Sequence, residues 1–397
     1  MSVRILSLAL GNFAVNTGAY LAAGMLSDIA SSTGVTVSAA GQLVTVYALS
    51  YALSAPLMSG VFGHLDRRKL LWTGLALCTV GNVLTALAPG FGLLAAARAV
   101  TAIGASLFTP IAVVMAADLV PAHRRGRAVA LVVTGSTLAT VLGVPAGVLL
   151  AEPLGYQGAY LVVTVLSAIA AVALTALPRT ARMPRMALRR SFTVLGDTVV
   201  VLVLGVSALA ALSDFTPYTF VVPLLDDFGG FTAGTVSAVL IAYGVAGAVG
   251  NAVAGWATDR FGSTSASIGA LSALALGLLL LPLAAGSVPL TMAAVLLWGL
   301  GGWGILPAVQ ARLIELAPLA ASSVIALNVS VIWLGMGLGG VLGGAVIDTV
   351  GLGALGPAGG LLAIAAIAVL AVACRGRRRT AAARPAAATA EPELATV

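Results

Sequence analysis

An all-α polytopic membrane protein, with twelve transmembrane helices in two six-helix bundles, is the fold class this sequence predicts. Three observations predict it: composition, the recurrence of apolar stretches, and the placement of the basic residues. The 397-residue chain is 60% hydrophobic and 8% charged, with 47 glycines, and its mean hydropathy is +1.09. Soluble domains carry about 25% charged residues, so this chain has too few to cover a water-facing surface. Apolar stretches close to the ~20 residues that cross a hydrocarbon core of about 30 Å recur from end to end. No water reaches the backbone in that core, so each stretch must close its own hydrogen bonds as a helix.

The spans fall near residues 5–27, 39–62, 69–88, 92–116, 127–150, 157–177, 197–221, 234–257, 264–284, 288–311, 322–346 and 353–374. With both ends on the inner side, the inner loops and ends receive Arg4, Arg67, Arg68, Lys69, Arg124, Arg125, Arg127, Arg179, Arg182, Arg185, Arg189, Arg190, Arg260, Arg312 and the basic tail from Arg375 to Arg384. Of the 20 basic residues only Arg98 is left over, inside the fourth span, and none falls in an outer loop. Basic loops stay on the cytoplasmic side, so this partition argues for an even count with cytoplasmic termini. Asp28, Glu152, Asp226, Asp227 and Asp348 fall at outer ends.

The formal charge of +7 does not indicate a nucleic-acid partner, because the basic residues sit in short loops against the membrane. Attraction to anionic lipid of the inner leaflet accounts for them. Cys78 in the third span and Cys374 near the inner edge have no disulfide role under this topology. The first apolar segment reads as a span rather than a cleaved leader, since it is long and has one preceding arginine. His64 and His123 lie in inner loops, and no metal-ligand spacing, nucleotide-binding glycine loop or paired catalytic set within spans is present. No enzyme, metal site, cofactor or obligate protein partner is expected.

The longest loop divides the chain into 1–178, a basic cytoplasmic linker 179–196, and 197–374, followed by a basic tail 375–397 whose Ala/Pro/Thr content reads as disordered. Sliding one half over the other by 196 positions places Tyr47 on Tyr243, Gly143 on Gly339 and Gly147 on Gly343. Duplicated bundles related by an axis along the membrane normal are a transporter architecture, with the substrate between the halves near midplane.

The loop between the eighth and ninth spans reads Gly255-Trp256-Ala257-Thr258-Asp259-Arg260-Phe261-Gly262, and that between the second and third reads Gly63-His64-Leu65-Asp66-Arg67-Arg68-Lys69. The fifth span carries Gly135 and Leu142-Gly143-Val144-Pro145-Ala146-Gly147. Over residues 1 to about 374 the chain resembles the major facilitator superfamily, in particular its twelve-helix drug:proton antiporters. The family's loop signature is Gly-x-Leu-x-Asp-Arg-x-Gly-Arg-Arg. The second half matches its first part without the basic pair, while in the first half Gly63 occupies the Asp position and Asp66 comes three residues later. That variant is similar to the branch of chloramphenicol and sugar efflux proteins. The resemblance implies proton-coupled export of small, largely apolar organic compounds or drugs across a bacterial inner or plasma membrane. Chloramphenicol is one candidate; sugar, nucleoside or purine efflux and an uncoupled facilitator are the alternatives.

A cation at a helix centre costs roughly 2.5–3.5 kcal/mol on insertion scales, so Arg98 must face polar groups. It either supports proton coupling, as the matching family residue implies, or pins neighbouring helices. Asp214 is the carboxylate placed well within a span, and is the candidate proton carrier or a cap on a turn before Pro217. Desolvation and nearby charges together set which form such a carboxylate holds. Gly143, Pro145 and Gly147 of the fifth span are expected to pack on the glycines of the eleventh as a rocking interface, since small residues allow close approach and Pro145 permits a bend. Asp66, Arg67, Asp259 and Arg260 are candidates for an inner gate or for topology anchoring alone. Substrate contacts are expected among Asn12, Asn16, Thr17, Tyr47, Tyr51, Tyr218, Tyr243, Asn251, Asn328 and Trp333, polar or aromatic groups in otherwise apolar spans that serve either binding or packing. The expected partners are thus a small organic substrate, protons and membrane lipid.

Overall fold

The computed structural model describes residues 3–62, 65–178 and 193–382. Gly63, His64, the arginines between 179 and 190, and Arg384 lie outside the described residues. The helices in chain order are α1 (Val3–Tyr20), α2 (Leu26–Thr33), α3 (Val37–Phe62), α4 (Arg67–Ala86), α5 (Phe91–Asp118), α6 (Arg125–Leu174), α7 (Thr198–Tyr218), α8 (Val221–Asp227), α9 (Ala233–Phe261), α10 (Ser263–Leu280), α11 (Val288–Leu316), α12 (Ala321–Thr349) and α13 (Leu355–Ala382). Among the described residues, 11 helices are long and apolar enough to cross a membrane. One of them, α6, runs for 50 residues and turns at Gly155, whose φ of 63° a residue with a side chain rarely adopts. A straight helix of that length would extend about 75 Å, far beyond one hydrocarbon core. Its two limbs are therefore separate crossings, and the spans among the described residues number twelve.

Local chemistry starts these helices where the apolar runs begin. The Asp66 carboxylate accepts from the backbone N–H of Arg68 at 2.8 Å, Asp197 accepts from Val199 at 2.8 Å, and Thr232 accepts from Thr235 at 3.2 Å. Each supplies a partner to a first-turn N–H that the helix cannot satisfy. The last helix continues through the arginines to Ala382, so residues 375–382 are helical where the sequence suggested a disordered tail. An even number of crossings puts both ends of the described chain on one membrane face, here the terminus face; the opposite is the far face.

Helices pack through the glycines, and the same contacts are made twice. A Cβ on Gly147 would come within 2.7 Å of the Leu21 carbonyl oxygen, and one on Gly343 within 2.6 Å of the Thr216 carbonyl oxygen. A Cβ on Gly143 would meet Tyr20, and one on Gly339 would meet Phe215. Likewise Gly81 faces Thr101 and Gly277 faces Trp298. The glycines of each pair obey the 196-residue register and their partners fall within one residue of it, so the internal repeat is a repeat of packing. Gly147→Val is expected to cost about 1–3 kcal/mol through overpacking against backbone that cannot yield. A lowered thermal unfolding midpoint of the detergent-purified protein checks it.

The expected pairing of the fifth span with the eleventh is incorrect. Gly143 and Gly147 lie against the end of α1, and α6 meets the other half at α9, where Gly244 faces Val141. The eleventh span, α12, packs on α7 and α3. Pro145, buried in α6, provides no N–H for the Val141 carbonyl four residues earlier, at the point where α6 meets α9. The two halves thus touch along α3 with α12 and along the first limb of α6 with α9.

Candidate transport site

Between the halves lies a cavity of about 220 Å3, lined by Ser207, Ala211, Asp214 and Phe215 of α7, Gly302, Trp303 and Gln310 of α11, Val329, Trp333 and Met336 of α12, and Tyr20 from the end of α1. Asp214 is 4% exposed and is held by donors from two helices. The Tyr243 hydroxyl donates to both carboxylate oxygens at 3.0 and 3.1 Å, and the Trp298 indole N–H donates to one of them. Trp303 donates in turn to the Tyr243 oxygen at 3.1 Å. Tyr218 packs against Tyr243 with ring centroids 4.8 Å apart and against Trp298 at 6.2 Å. Glycine at 302 leaves room for the carboxylate, since a Cβ there would lie 2.7 Å from an Asp214 oxygen. Such a site fixes a carboxylate in an aromatic, water-poor wall while leaving one side toward the cavity.

Arg98 is 0% exposed and belongs to a different site. Its guanidinium donates to the carbonyls of Gly18 at 2.8 Å and Ala19 at 2.9 Å, and lies 4.5 Å from the centroid of the Tyr47 ring. Those carbonyls lie in the last turn of α1, before a short 3-10 turn at Leu21–Gly24. A cation at a helix C-terminus meets unpaired carbonyls and the negative end of the dipole. The expected cooperation of Arg98 with Asp214 is therefore not present as a direct contact. The repeat explains the placement, because Gly18 and Asp214 are equivalent positions at equivalent crossings. In one half a guanidinium from the fourth span reaches that position; in the other an indole from the tenth span does.

Of the other expected binding residues, Trp333 lines the cavity, while Tyr51 stacks on it at 4.1 Å and Tyr47 lies 5.8 Å from it. Tyr218 and Tyr243 stand behind Asp214. Asn12 donates to the Val132 carbonyl and the Ser136 hydroxyl, and Asn16 donates to the Asn12 carbonyl, so the two amides join α1 to α6. Thr17 donates to the Phe13 carbonyl within its own helix. Asn251 is exposed and does not line the cavity around Asp214, and Asn328 is 0% exposed with no hydrogen-bond partner among the described residues. Trp298, Trp303, Gly302 and Tyr20 escaped the sequence reading. The run Trp298-Gly299-Leu300-Gly301-Gly302-Trp303, two indole donors within one span, is the signal that could have pointed to them.

The candidate gate residues divide in the same way. Asp66 caps α4, and Arg67 pairs with Asp118 at the end of α5, within one half. In the other half, Ser263 and Arg312 both contact the Glu315 carboxylate at 3.1 Å. Asp259 is exposed with no ion-pair partner among the described residues, and the Arg260 guanidinium lies 5.7 Å from the Phe261 ring. Among the described residues, the hydrogen bonds between halves join Ser38 to Asp348 at 2.8 Å and Gln42 to the Gly340 carbonyl at 3.3 Å. Both lie on the far-face side of the Tyr51–Trp333 stack. The cavity runs the other way, since Ser207 is seven residues, or about 10 Å, closer to the terminus face than Asp214. On the far face these two bonds hold α3 against α12, while a cavity of about 680 Å3 lined by Asp28, Glu152, Asp226 and Thr232 remains between the halves beside α6 and α9.

Asp348→Ala removes one solvent-accessible hydrogen bond to a charged group between α3 and α12 at the far face. At about 1 kcal/mol it should shift the balance toward far-face opening by about fivefold. Faster labelling, by a membrane-impermeant maleimide, of a cysteine placed at Thr45 of α3, which is buried against Gly340 and makes neither bond, is the expected reading.

The family profile described as Major Facilitator Superfamily matches residues 8–196 and 203–396. The chain belongs to this superfamily. It is a multi-pass membrane protein with a transporter fold. The Escherichia coli K12 protein described as inner membrane transport protein YdhP is 32% identical over 351 residues, covering 88% of this chain and 90% of that one. A Streptomyces lividans protein described as a chloramphenicol resistance protein is 31% identical over 265 residues, covering 66% of this chain and 68% of that one. The crystal structure of a D-xylose-proton symporter superposes with a TM-score of 0.74 at 17% identity, over 93% of this chain and 96% of that one. That last likeness concerns the fold. Within the superfamily fold, the cavity around Asp214 lies between the two six-helix halves.

Proposed function

We propose that this superfamily transporter exports small, largely apolar organic compounds from a bacterial cell in exchange for protons. The observation that carries the reading is Asp214, a buried carboxylate in the wall of the cavity between the halves. A group that gains or loses a proton there changes the charge of the substrate cavity, which is what exchange of substrate for proton requires. The lining fits the cargo: Phe215, Ile305, Leu306, Val309, Ile332 and Met336 supply apolar surface, while Gln310, Ser207 and the indoles supply a few hydrogen bonds. The name of the Streptomyces relative makes chloramphenicol a reasonable first compound. Under the proposed orientation the terminus face is cytoplasmic, as the basic loops argue, and the cavity extends from Asp214 toward Ser207 on that side.

In this mechanism substrate enters from the cytoplasm while Asp214 releases its proton. The halves then rock about the α3–α12 and α6–α9 contacts, opening the far face as the Ser38–Asp348 and Gln42–Gly340 bonds break. Substrate leaves as Asp214 is reprotonated from outside. Inside-out vesicles with an imposed pH gradient test this. Addition of a transported compound should collapse the gradient in vesicles holding the protein and not in empty ones. A compound shown by uptake to be carried without proton movement would replace the antiporter reading with that of a facilitator.

A further inference from the structure

A second cavity, of about 690 Å3, lies at the terminus face, away from Asp214. It is lined by Ile5 of α1, Val120 beyond the end of α5, and Arg124, Arg127, Ala128, Ala130, Leu131 and Thr134 at the start of α6. We propose that it is a site for one anionic phospholipid, with the headgroup phosphate between Arg124 and Arg127 and an acyl chain along Leu131 and Ile5.

The chemistry is graded along the cleft. Arg124 and Arg127 form a cationic lip, and the turns that follow are apolar up to the Thr134 hydroxyl. From Arg124 to Thr134 the helix rises about 15 Å, half of a hydrocarbon core of about 30 Å, which is the depth of one leaflet. The lip carries uncompensated charge. The ion pairs among the described residues are Arg67–Asp118 and Arg312–Glu315, and the cleft arginines join neither. Asp118, the acidic residue nearest in sequence, is thus already engaged by Arg67. The N-cap position of α6 is Arg124 itself, which supplies no side-chain acceptor to the first turn. A phosphate monoanion answers the guanidinium pair and the uncapped turn together, since guanidinium forks match its oxygens. An attached acyl chain answers the wall above them, which a free phosphate does not. Diffuse attraction of basic loops to a charged leaflet would require no cleft; this geometry calls for a single lipid in a fixed place.

The test compares detergent-purified protein with added phosphatidylglycerol, phosphatidylcholine or inorganic phosphate, by native mass spectrometry and thermal unfolding. One phosphatidylglycerol should be retained per chain and should raise the unfolding midpoint above that with phosphatidylcholine. The double variant Arg124→Gln with Arg127→Gln should bind it about 30-fold more weakly, from two charges near the surface. Leu131→Trp, which fills the apolar wall and leaves both arginines, should also lose the retained lipid. Equal retention of phosphatidylcholine, or a stabilisation by inorganic phosphate as large as that by the lipid, would overturn the proposal. Undiminished phosphatidylglycerol binding by the double variant or by Leu131→Trp would overturn it as well.

Discussion

Asp214→Asn is expected to abolish substrate-driven proton movement, bringing it to the level of empty vesicles, while the protein still folds. The amide keeps the shape of the carboxylate and can still accept from Trp298 or Tyr243 through its oxygen, so the aromatic wall has no reason to collapse. What it loses is the ability to exist in two charge states. Transport by the variant should therefore become insensitive to the imposed pH gradient and run only down the gradient of the compound. Two measurements on the same vesicles, proton flux and uptake of labelled compound, read this out. Retained proton flux in the variant would remove Asp214 from the coupling role and direct attention to another titratable group.

Arg98→Met is expected to have the next largest effect, through structure. The substitution keeps the apolar stem but leaves the Gly18 and Ala19 carbonyls without their donors in a fully buried place. Each buried acceptor left unpaired costs roughly 1–3 kcal/mol. The end of α1 is held there, and the next residue is Tyr20, which lines the cavity around Asp214. Loss of transport should therefore accompany a lower unfolding midpoint in detergent. Arg98→Lys should rescue only partly, because a single ammonium lacks the planar fork that reaches two successive carbonyls. Full stability with selective loss of proton coupling would show instead that Arg98 takes part in the proton pathway without holding α1.

The repeat connects these two variants. The crossing of the first span with the fourth recurs as that of the seventh with the tenth, and each carries a charged side chain in an otherwise apolar place. In one crossing the group is a cation satisfied by backbone; in the other it is a titratable carboxyl group held by side-chain donors. Only the second faces the cavity, so the two groups divide their work, one holding the break in α1 and one standing in the cavity wall. This asymmetry also explains why cavity contacts come mainly from α7, α11 and α12, with Tyr20 as the one lining residue from the first half.

Much of this molecule was determined by the sequence alone. Twelve crossings follow from apolar length and from the gathering of Arg and Lys on one side, because hydrocarbon tolerates neither unpaired backbone nor charge. The duplication was legible because equivalent glycines serve equivalent close contacts, as Gly147 and Gly343 do. Asp214 and Arg98 stood out for the same energetic reason, as ionisable groups within spans. Tertiary structure decided which groups meet. Asn12 and Asn16 look like a binding stripe in the sequence but spend their amides on α6 and α1, and Gly143 serves α1 rather than the eleventh span. Trp298, 84 residues from Asp214, became its donor only when α11 crossed α7. In a membrane helix nearly every face is apolar, so periodicity does not show which side meets a neighbour, a cavity or lipid. That choice belongs to the packing of whole helices, which no single stretch of sequence carries.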